Sequence, residues 1–247
     1  MNNVTVILSG YKRPHVLQEQ YTAIKNQTHK DITVMLWSNY DENSFHAYPQ
    51  DIIDSCISAF ANVNFGVWAR FAYALNANTE YVCMIDDDTI PGSKWIENCL
   101  NTISTNKGLL GCRGVRFTGD DYQNYPGCSY ESICGNNENI ERVDIMGHSW
   151  FFEKHWLRAY WAEMPNTIPN FGGEDMHFSY VLQKHFNLYT YVPAQPSNDK
   201  EMWGSINPSK YGEDMNATSR TSDGYVQANH YWNYILSRGY KLAKDAI

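Results

Sequence analysis

Apolar runs alternate with amphipathic stretches through the first half of the chain. Four apolar runs of strand length are predicted to be β-strands: residues 4–9 (VTVILS), 32–38 (ITVMLWS), 80–85 (EYVCMI) and about 109–117. Four stretches with apolar residues at helical spacing are predicted to be helices: one from Pro14 to near Asn26, and others at about 49–60, 67–77 and 93–105.

This alternation predicts an α/β fold with a mainly parallel central sheet and helices on both faces. In such sheets, ligands bind beyond the carboxyl ends of the strands. Three loops follow predicted strands and should converge at that edge: SGYKRP (9–14), SNYDEN (38–43) and DDDTIPG (86–92). Because no repeat, low-complexity tract or linker divides the 247 residues, one domain is predicted.

Composition and charge narrow the class of ligand. Aromatic residues make up 15% of the chain, with 18 Tyr and 8 Trp, and such amphipathic rings suit a cleft for a polar ligand. The net charge of -8 argues against nucleic acid as a partner, because affinity for a phosphate backbone depends on Lys and Arg. Small charged ligands remain possible, through local basic groups or a metal ion.

The start of the sequence and the cysteines bear on the compartment. The chain opens directly on a predicted strand, without a basic segment, a long apolar run or a cleavage site. We therefore expect a soluble protein, cytoplasmic or a soluble domain, without a transmembrane segment. The six cysteines form no CxxC pair, which weakens zinc and thioredoxin-type interpretations. Cys128 and Cys134 could be a disulfide or two thiols.

The aspartate triplet Asp86, Asp87 and Asp88 directly follows a predicted buried strand. Three adjacent carboxylates raise one another's pKa unless a cation neutralises them. Oxygen ligands favour a hard ion such as Mn²⁺ or Mg²⁺, completed by the phosphates of a nucleotide or nucleotide sugar. The alternative is a solvated acidic turn at the start of the next helix, where carboxylates favour the helix dipole.

A second acidic group lies in GGEDMHF, residues 172–178. Apolar spacing predicts a helix from near Glu174, so Glu174 and Asp175 fall on its first turn and face a site rather than the core. Gly172 and Gly173 would allow the backbone to approach a ligand closely. Ordinary capping of a helix start explains the same Glu-Asp pair equally well.

Two further features have competing explanations. In VDIMGHSWFFEKHW (143–156) an apolar strand is interrupted at Gly147 and His148, and Trp150 with the following aromatics suits a sugar-contacting surface or a packed core. His230, in a predicted C-terminal helix, could complete a metal site or be a structural helix residue.

The order of these blocks resembles the GT-A nucleotide-diphospho-sugar transferases, which have a single Rossmann-like domain, and most closely the exostosin-like transferases of heparan sulfate synthesis. The residues that carry the resemblance are Tyr11 and Arg13, Trp37 and Asn39, Asn64 and Arg70, the aspartate triplet with Thr89, Gly147, and the acidic pair Glu174 and Asp175. The resemblance covers most of the chain as separated motifs. It implies a nucleotide-binding half over 1–117 and an acceptor-binding half over 118–247.

The resemblance also implies roles for these residues. Ser9, Tyr11, Arg13, Asn39, Asn64, Arg70, Asp86 and Asp87 would bind a UDP-sugar donor; Asp88, with Asp86 and His230, would hold Mn²⁺ or Mg²⁺; Gly147, His148 and Trp150 would contact sugar or acceptor. Asp175, with Glu174, would act on a saccharide or other hydroxyl acceptor. The family's catalytic C-terminal arginine has no secure counterpart here, and Arg220 and His230 compete for its position.

Three questions remain open from the sequence. Asp175 either deprotonates the acceptor in an inverting reaction or stabilises the sugar cation in a retaining one, and retention is preferred on family likeness alone. A nucleotidyltransferase could use a similar sheet, although no Gly-rich basic phosphate loop follows the first strand. A noncatalytic sugar-binding module would keep the aromatics, but it could dispense with the acidic pair.

Overall fold

The structure is a computed structural model that describes residues 3–44, 47–164, 172–211 and 222–245. The strands in these ranges are β1 (Val4–Gly10), β2 (Ile32–Ser38), β3 (Ile57–Phe60), β4 (Tyr81–Ile85), β5 (Gly108–Leu110), β6 (Arg113–Phe117), β7 (Tyr130–Ile133), β8 (Glu141–Val143), β9 (Ile145–Gly147), β10 (Ser149–Glu153) and β11 (Tyr189–Val192). The α-helices are α1 (Leu17–Lys25), α2 (Gln50–Ser55), α3 (Ala69–Tyr73), α4 (Trp95–Thr105), α5 (Leu157–Ala162), α6 (Glu174–Phe186), α7 (Pro208–Tyr211) and α8 (Ser222–Ser237).

The central sheet has eight strands in the order β3-β2-β1-β4-β10-β5-β11-β8. One side is parallel: β1 pairs with β2 and β4, and β2 pairs with β3. All seven residues of β1 are buried, as expected for a parallel strand covered on both faces. The α/β fold with a mostly parallel central sheet is therefore confirmed, and the loops after β1, β2 and β4 end at one edge.

The other side of the sheet is mixed. β10 runs antiparallel between β4 and β5, β11 runs parallel to β5, and β8 closes the edge antiparallel to β11. A second sheet of three antiparallel strands has the order β7-β6-β9. The second half of the chain thus adds short strands to the parallel sheet and builds a small sheet beside it.

The strand predicted at about 109–117 is two strands in different sheets. β5 lies in the central sheet and β6 in the small one, and the chain changes direction at Gly111 and Cys112. A Cβ at Gly111 would lie 2.2 Å from both Met146 Sδ and the Ser149 carbonyl oxygen, so this crossing excludes a side chain. The prediction was wrong here because an unbroken apolar run does not reveal a change of sheet.

The interruption predicted at Gly147 and His148 is a second change of sheet. β9 belongs to the small sheet and β10 to the central one, and His148 between them has φ of 66°. The helix predicted at about 49–60 was wrong in its second half, where β3 forms the edge of the central sheet. Ile57 and Phe60 are exposed there, so their apolar character reflects an edge strand and not a buried helix face.

Two further predictions concerned a disulfide and a transmembrane segment. All six cysteines are free thiols, including Cys128 and Cys134. Within the described ranges, no helix has both the length and the apolar character to cross a membrane.

Candidate active site

A cleft of about 340 Å³ opens at the carboxyl ends of β1, β2 and β4. Among the described residues, all the predicted site residues except His230 line it: Ser9, Tyr11, Arg13, Asn39, Asn64, Arg70, Asp86, Asp87, Asp88, Gly147, His148, Trp150, Glu174 and Asp175. They come from both halves of the chain. The fold therefore brings the aspartate triplet and the acidic pair to one cavity.

Amide and hydroxyl groups form a hydrogen-bond network on the side of the cleft next to the carboxyl ends of β1 and β2. Asn39 donates from Nδ2 to Asn64 Oδ1 (2.8 Å), and Asn64 donates from Nδ2 to the Tyr11 hydroxyl (3.1 Å). Asn39 Oδ1 accepts from the backbone N–H of Phe65 (3.0 Å), which fixes the amide orientation. Ser9 Oγ is buried without a hydrogen-bond partner in the described residues, so it is available to a ligand.

The aspartate triplet is held in a tight turn after β4. The turn closes with a bond from the Thr89 N–H to the Asp86 carbonyl (3.1 Å). Buried Gln20, on α1, donates from Nε2 to the carbonyls of Asp86 (2.6 Å) and Thr89 (3.0 Å). The Asp86 N–H donates to the His148 carbonyl (3.0 Å). The backbone of the triplet is therefore fixed by α1 and by the β9–β10 crossing.

Arg13 pairs with the middle aspartate of the triplet. Its guanidinium donates to Asp87 Oδ1 at 2.6 Å and lies 3.8 Å from Asp88 Oδ2. The Tyr11 N–H donates to Asp87 Oδ2 at 3.1 Å. Both carboxylate oxygens of Asp87 are thus occupied by the loop after β1, and Asp87 has a positioning role in this structure.

Arg70 joins the triplet to the acidic pair. Its guanidinium bonds to Asp86 through one terminal nitrogen and to Glu174 Oε1 (2.8 Å) through the other. The guanidinium lies over the Trp150 ring, 4.4 Å from its centroid, and Arg70 is buried. Both terminal nitrogens are engaged by carboxylates, so direct contact between Arg70 and a nucleotide remains a prediction.

The pKa values separate Asp88 from its neighbours. Burial raises the pKa of Asp86, and it raises that of Asp87 to about 7, despite the opposing charges of Arg70 and Arg13. Burial also opposes ionisation of Asp88, but the nearby His148 and Arg13 outweigh it and lower the pKa of Asp88. Asp88 is the triplet member with the strongest preference for the ionised form.

The acidic pair begins α6, which is anchored from both sides. Gly173 precedes the helix with φ of 89°, and a Cβ there would lie 2.7 Å from the Tyr231 ring. His177, on the next turn, contacts the Tyr231 hydroxyl through Nδ1 (2.5 Å) and the Tyr160 carbonyl through Nε2 (2.8 Å). These contacts with α5 and α8 fix the start of α6 at the cleft.

Asp175 differs from Glu174 in its contacts. No ion pair of Asp175 is found among the described residues; its Oδ1 accepts from the Met176 N–H at 2.7 Å. It is partly exposed to the cleft, whereas Glu174 is buried against Arg70. Burial and then the charge of Glu174 raise the pKa of Asp175 to about 8. Asp175 is therefore the carboxyl group of the pair that can receive a proton near neutral pH.

Gly147, His148 and Trp150 line the cleft in different ways. Phe151 and Phe152, which follow Trp150, are fully buried, so the packed core explains these aromatics. Trp150 is itself only 2% exposed and supports Arg70. His148 lies with Nδ1 3.6 Å from Asp88 Oδ1. A Cβ at Gly147 would meet nothing within 4 Å, so this glycine leaves open space.

Among the described residues, one predicted site residue, His230, is not brought to the cleft. His230 is exposed on α8 and is absent from the lining, so the described geometry does not make it a metal ligand. The inward positions of α8 are Ala228, Tyr231, Trp232 and Ile235, at helical spacing, and His230 falls outside that register. Arg220 lies outside the described residues.

Other lining residues were missed from the sequence. Arg113 begins β6, Tyr125 follows a short 3₁₀ turn, and Met176 and Ala228 come from α6 and α8. The helical register of α8 could have identified Ala228. Arg113 could have been noticed as a cation directly after a buried run, but its approach to the cleft depends on the change of sheet.

Whether the cleft can hold a divalent cation depends on its carboxylates. In the described ranges, no three His, Cys, Asp or Glu side chains converge on a possible metal position. Asp88 supplies an ionised oxygen ligand at the cleft, while Asp86 and Asp87 are paired with arginines. Mg²⁺ and Mn²⁺ commonly take few protein ligands and complete their coordination with phosphates and water. The residues therefore fit an ion that binds together with a phosphate-bearing substrate.

A comparison with known protein families identifies one family that the chain matches. A model described as "Glycosyl transferase family 2" matches residues 5–161. No curated protein matches the chain. The match supports a GT-A glycosyltransferase, as the sequence predicted, but it does not support the closer likeness to exostosin-like transferases.

Solved structures agree on the fold. The mannosyltransferase PcManGT from Pyrobaculum calidifontis, in complex with GDP-Man and Mn²⁺, has a TM-score of 0.52 and 16% identity over 80% of this chain and 58% of its own. TarS 1-349 from S. aureus with UDP has a TM-score of 0.53 and 11% identity, covering 77% and 60%. TarS with UDP-GlcNAc has a TM-score of 0.52 and 11% identity, covering 81% and 60%. The chain thus spans about three fifths of these chains.

Proposed function

The chain belongs to glycosyl transferase family 2, and on that basis we propose that it is a metal-dependent glycosyltransferase. It moves a hexose or N-acetylhexosamine from a UDP-sugar to a hydroxyl group of a saccharide or another acceptor. The observation that carries this proposal is the convergence of Asp88 and Asp175 on one cleft, with Arg70 joining their neighbours Asp86 and Glu174.

The donor side of the cleft supports a nucleotide. The amide network of Asn39 and Asn64, with the unpartnered Ser9 hydroxyl, offers directional donors and acceptors for a base and ribose. Trp37 also lines this part and offers an apolar ring face. Two of the similar structures hold UDP or UDP-GlcNAc and one holds GDP-Man, which supports a nucleotide-sugar donor and makes UDP the first candidate.

Asp88 is the proposed metal ligand, and the donor diphosphate completes the site. The lowered pKa of Asp88 keeps this carboxylate ionised, and Arg13 with Tyr11 holds the turn beside it. Manganese in the similar mannosyltransferase supports the choice of ion. When bound, such an ion supplies Lewis-acid stabilisation of the charge on the departing nucleoside diphosphate.

Asp175 is the proposed general base. A base works best when its pKa lies near the working pH, and the raised pKa of Asp175 meets that condition. A carboxylate that stabilises a sugar cation must instead stay ionised, for which a low pKa is better. We therefore favour inversion. The earlier preference for retention depended on the exostosin-like resemblance, which the family match does not support.

Two other functions are weaker candidates. A nucleotidyltransferase would need several free basic groups around a triphosphate, whereas Arg13 and Arg70 are engaged by carboxylates and, among the described lining residues, only Arg113 has a guanidinium without a carboxylate partner. A noncatalytic sugar-binding module would have no use for Asp175, a carboxyl group without an ion pair in the described residues and with a raised pKa. Both alternative functions are compatible with the fold. They differ from a glycosyltransferase in the reaction, or the lack of one, so a single assay with nucleotide sugars separates the three.

The test is incubation with UDP-glucose, UDP-GlcNAc and GDP-mannose in the presence of Mn²⁺, with measurement of the free nucleotide released. Slow hydrolysis of one donor, lost in the Asp175→Asn variant and on addition of EDTA, is the expected result. Pyrophosphate-dependent formation of nucleoside triphosphate would indicate a nucleotidyltransferase. Binding of sugars without turnover of any donor would favour the binding module.

A further inference from the structure

Within the described ranges, three guanidinium groups line the cleft, and they differ in their partners. Arg13 and Arg70 are buried against the carboxylates of Asp87, Asp86 and Glu174. Arg113, at the start of β6, is exposed, and among the described residues its hydrogen-bond contact is His148 Nε2 at 3.3 Å. The charges of two arginines are thus compensated by carboxylates, while Arg113 has no carboxylate partner in the part of the chain that the structure describes.

The contact with His148 orients Arg113. A guanidinium only donates hydrogen bonds, so Nε2 of His148 must accept and its ring proton is on Nδ1. Nδ1 in turn faces Asp88 Oδ1 at 3.6 Å. His148 therefore lies between Arg113 and the proposed metal ligand, and it uses one of the five N–H groups of Arg113. The other four can bind an anion in the cleft.

The proposed reaction generates an anion beside Asp88. The bond from the sugar carbon to the phosphate oxygen breaks and its electron pair stays on that oxygen, while the acceptor oxygen bonds to the sugar carbon and its proton passes to Asp175. The diphosphate therefore gains negative charge as it leaves. Stabilisation of such charge accelerates a reaction when the donor group is already positioned in the site.

Resting on the proposed function, we propose that Arg113 binds the diphosphate of the nucleotide-sugar donor and stabilises the departing nucleoside diphosphate. Arg113 lies on the far side of His148 from Asp88, is exposed and lines the cleft, so its guanidinium is available to phosphate oxygens bound beside Asp88. Arg113 is then a substrate-contacting residue, and His148 is the residue that positions it.

Arg116 provides a matched control on the same strand. Its guanidinium bonds to Glu131 on β7 of the small sheet and to Glu141 on β8 of the central sheet, and it does not line the cleft. Arg113→Gln and Arg116→Gln remove the same charge three residues apart. A general effect of net charge on anion binding would appear in both variants, whereas a direct contact would appear only in the first.

The experiment measures binding of UDP and of uridine by calorimetry, each with saturating Mn²⁺. Arg113→Gln should weaken UDP binding about 10-fold to 100-fold, as expected for a lost hydrogen bond between charged groups, and leave uridine binding within about twofold. Arg116→Gln should bind both as the wild type does. Because Arg113 is exposed, thermal unfolding of the variant should match that of the wild type.

Unchanged UDP affinity in Arg113→Gln would overturn this inference while leaving the proposed function intact. Equal weakening for UDP and uridine would also overturn it, because the contact would not involve phosphate. A wild-type protein that binds none of UDP, GDP or their sugars with Mn²⁺ would overturn the proposed function itself.

Discussion

Two arginine–carboxylate clusters build the cleft, and they differ in what they join. The donor cluster (Arg13, Asp87 and Tyr11) links the loop after β1 to the end of β4, two neighbouring strands of the parallel sheet. The bridging cluster (Arg70, Asp86 and Glu174) links the end of β4 to the first turn of α6. The first is confined to the proposed nucleotide side of the cleft, whereas the second connects that side to the proposed acceptor side.

This difference indicates how binding and chemistry are coupled. The donor cluster fixes the turn that carries Asp88, so it prepares the site for the metal and diphosphate. The bridging cluster fixes Glu174, and through the helix backbone it fixes the neighbouring Asp175. A change in the bridging cluster should therefore affect both stability and turnover, whereas a change at Asp88 should affect mainly ligand binding.

The largest effect is expected from Asp175→Asn, which removes the proposed base and leaves both clusters in place. Turnover should fall about 10² to 10⁴-fold, because general-base catalysis contributes in that range. UDP affinity should stay nearly constant, since the bound ground state does not use the charge. Steady-state kinetics and calorimetry check the two quantities. Because Asn caps a helix about as well as Asp, normal turnover would identify Asp175 as a capping residue only.

Arg70→Met tests the bridging cluster. It leaves the buried Glu174 and the partly buried Asp86 without this partner, and breaking a buried ion pair typically costs about 3 to 5 kcal/mol of unfolding free energy. Chemical denaturation measures this loss, and adding Glu174→Gln to the variant should restore part of it. Weaker UDP binding with unchanged stability would instead show that Arg70 is mainly a nucleotide contact.

Asp88→Asn tests the metal site beside the donor cluster. With UDP and Mn²⁺ at about 100 times the dissociation constant, the wild type should gain about 2.7 kcal/mol of stability, and the variant should lose that gain. Without ligand, its melting temperature should be close to or slightly below that of the wild type, because His148 and Arg13 stabilise the charge of Asp88 and lower its pKa. Asp51→Asn, at an exposed position on α2, is the control. A large loss in the unliganded protein would support a capping role for the triplet.

A smaller effect is expected from pH. The folded protein holds the pKa of Asp87 at about 7 and that of Asp175 at about 8, above the ordinary value near 4. Between these values the folded state retains protons that the unfolded chain releases, so stability without ligand should fall as pH rises from about 4 to 8. Denaturation at several pH values measures the slope. Asp175→Asn should flatten its upper part, and a slope unchanged by the variant would contradict the raised pKa.

The smallest effect is expected from His230→Gln. His230 is exposed on α8 outside the cleft, so Mn²⁺ affinity in the presence of UDP should change by less than about twofold. Loss of manganese binding, measured by the electron paramagnetic resonance signal of free Mn²⁺, would restore this histidine as a ligand. The result would then require α8 to rearrange when the metal binds.

The sequence predicted that the loops after β1, β2 and β4 meet at one cleft, because their residues follow directly on parallel strands. Ser9, Asn39 and Asp86 each lie at or just beyond the end of a buried apolar run, and parallel strands bring such positions together. The same argument predicted the sheet and its helices. The first turn of α6 was also visible, from the glycines and the apolar spacing that follows.

The remaining features depend on contacts that no local pattern contains. The ion pair of Arg70 with Glu174 joins residues 104 positions apart. The changes of sheet at Gly111 and His148 depend on packing against the small sheet, and they place Arg113 at the cleft. The error at His230 was different in kind: its helical register, with Tyr231 and Trp232 facing inward, was readable from the sequence.

The most direct test of the account is a crystal structure of the Asp175→Asn variant with Mn²⁺ and the UDP-sugar that the wild type hydrolyses. The account predicts an ion bonded to Asp88 and the diphosphate, the base beside Asn39 and Asn64, and residue 175 facing the sugar carbon. A donor bound outside the cleft, or an ion held without Asp88, would contradict it.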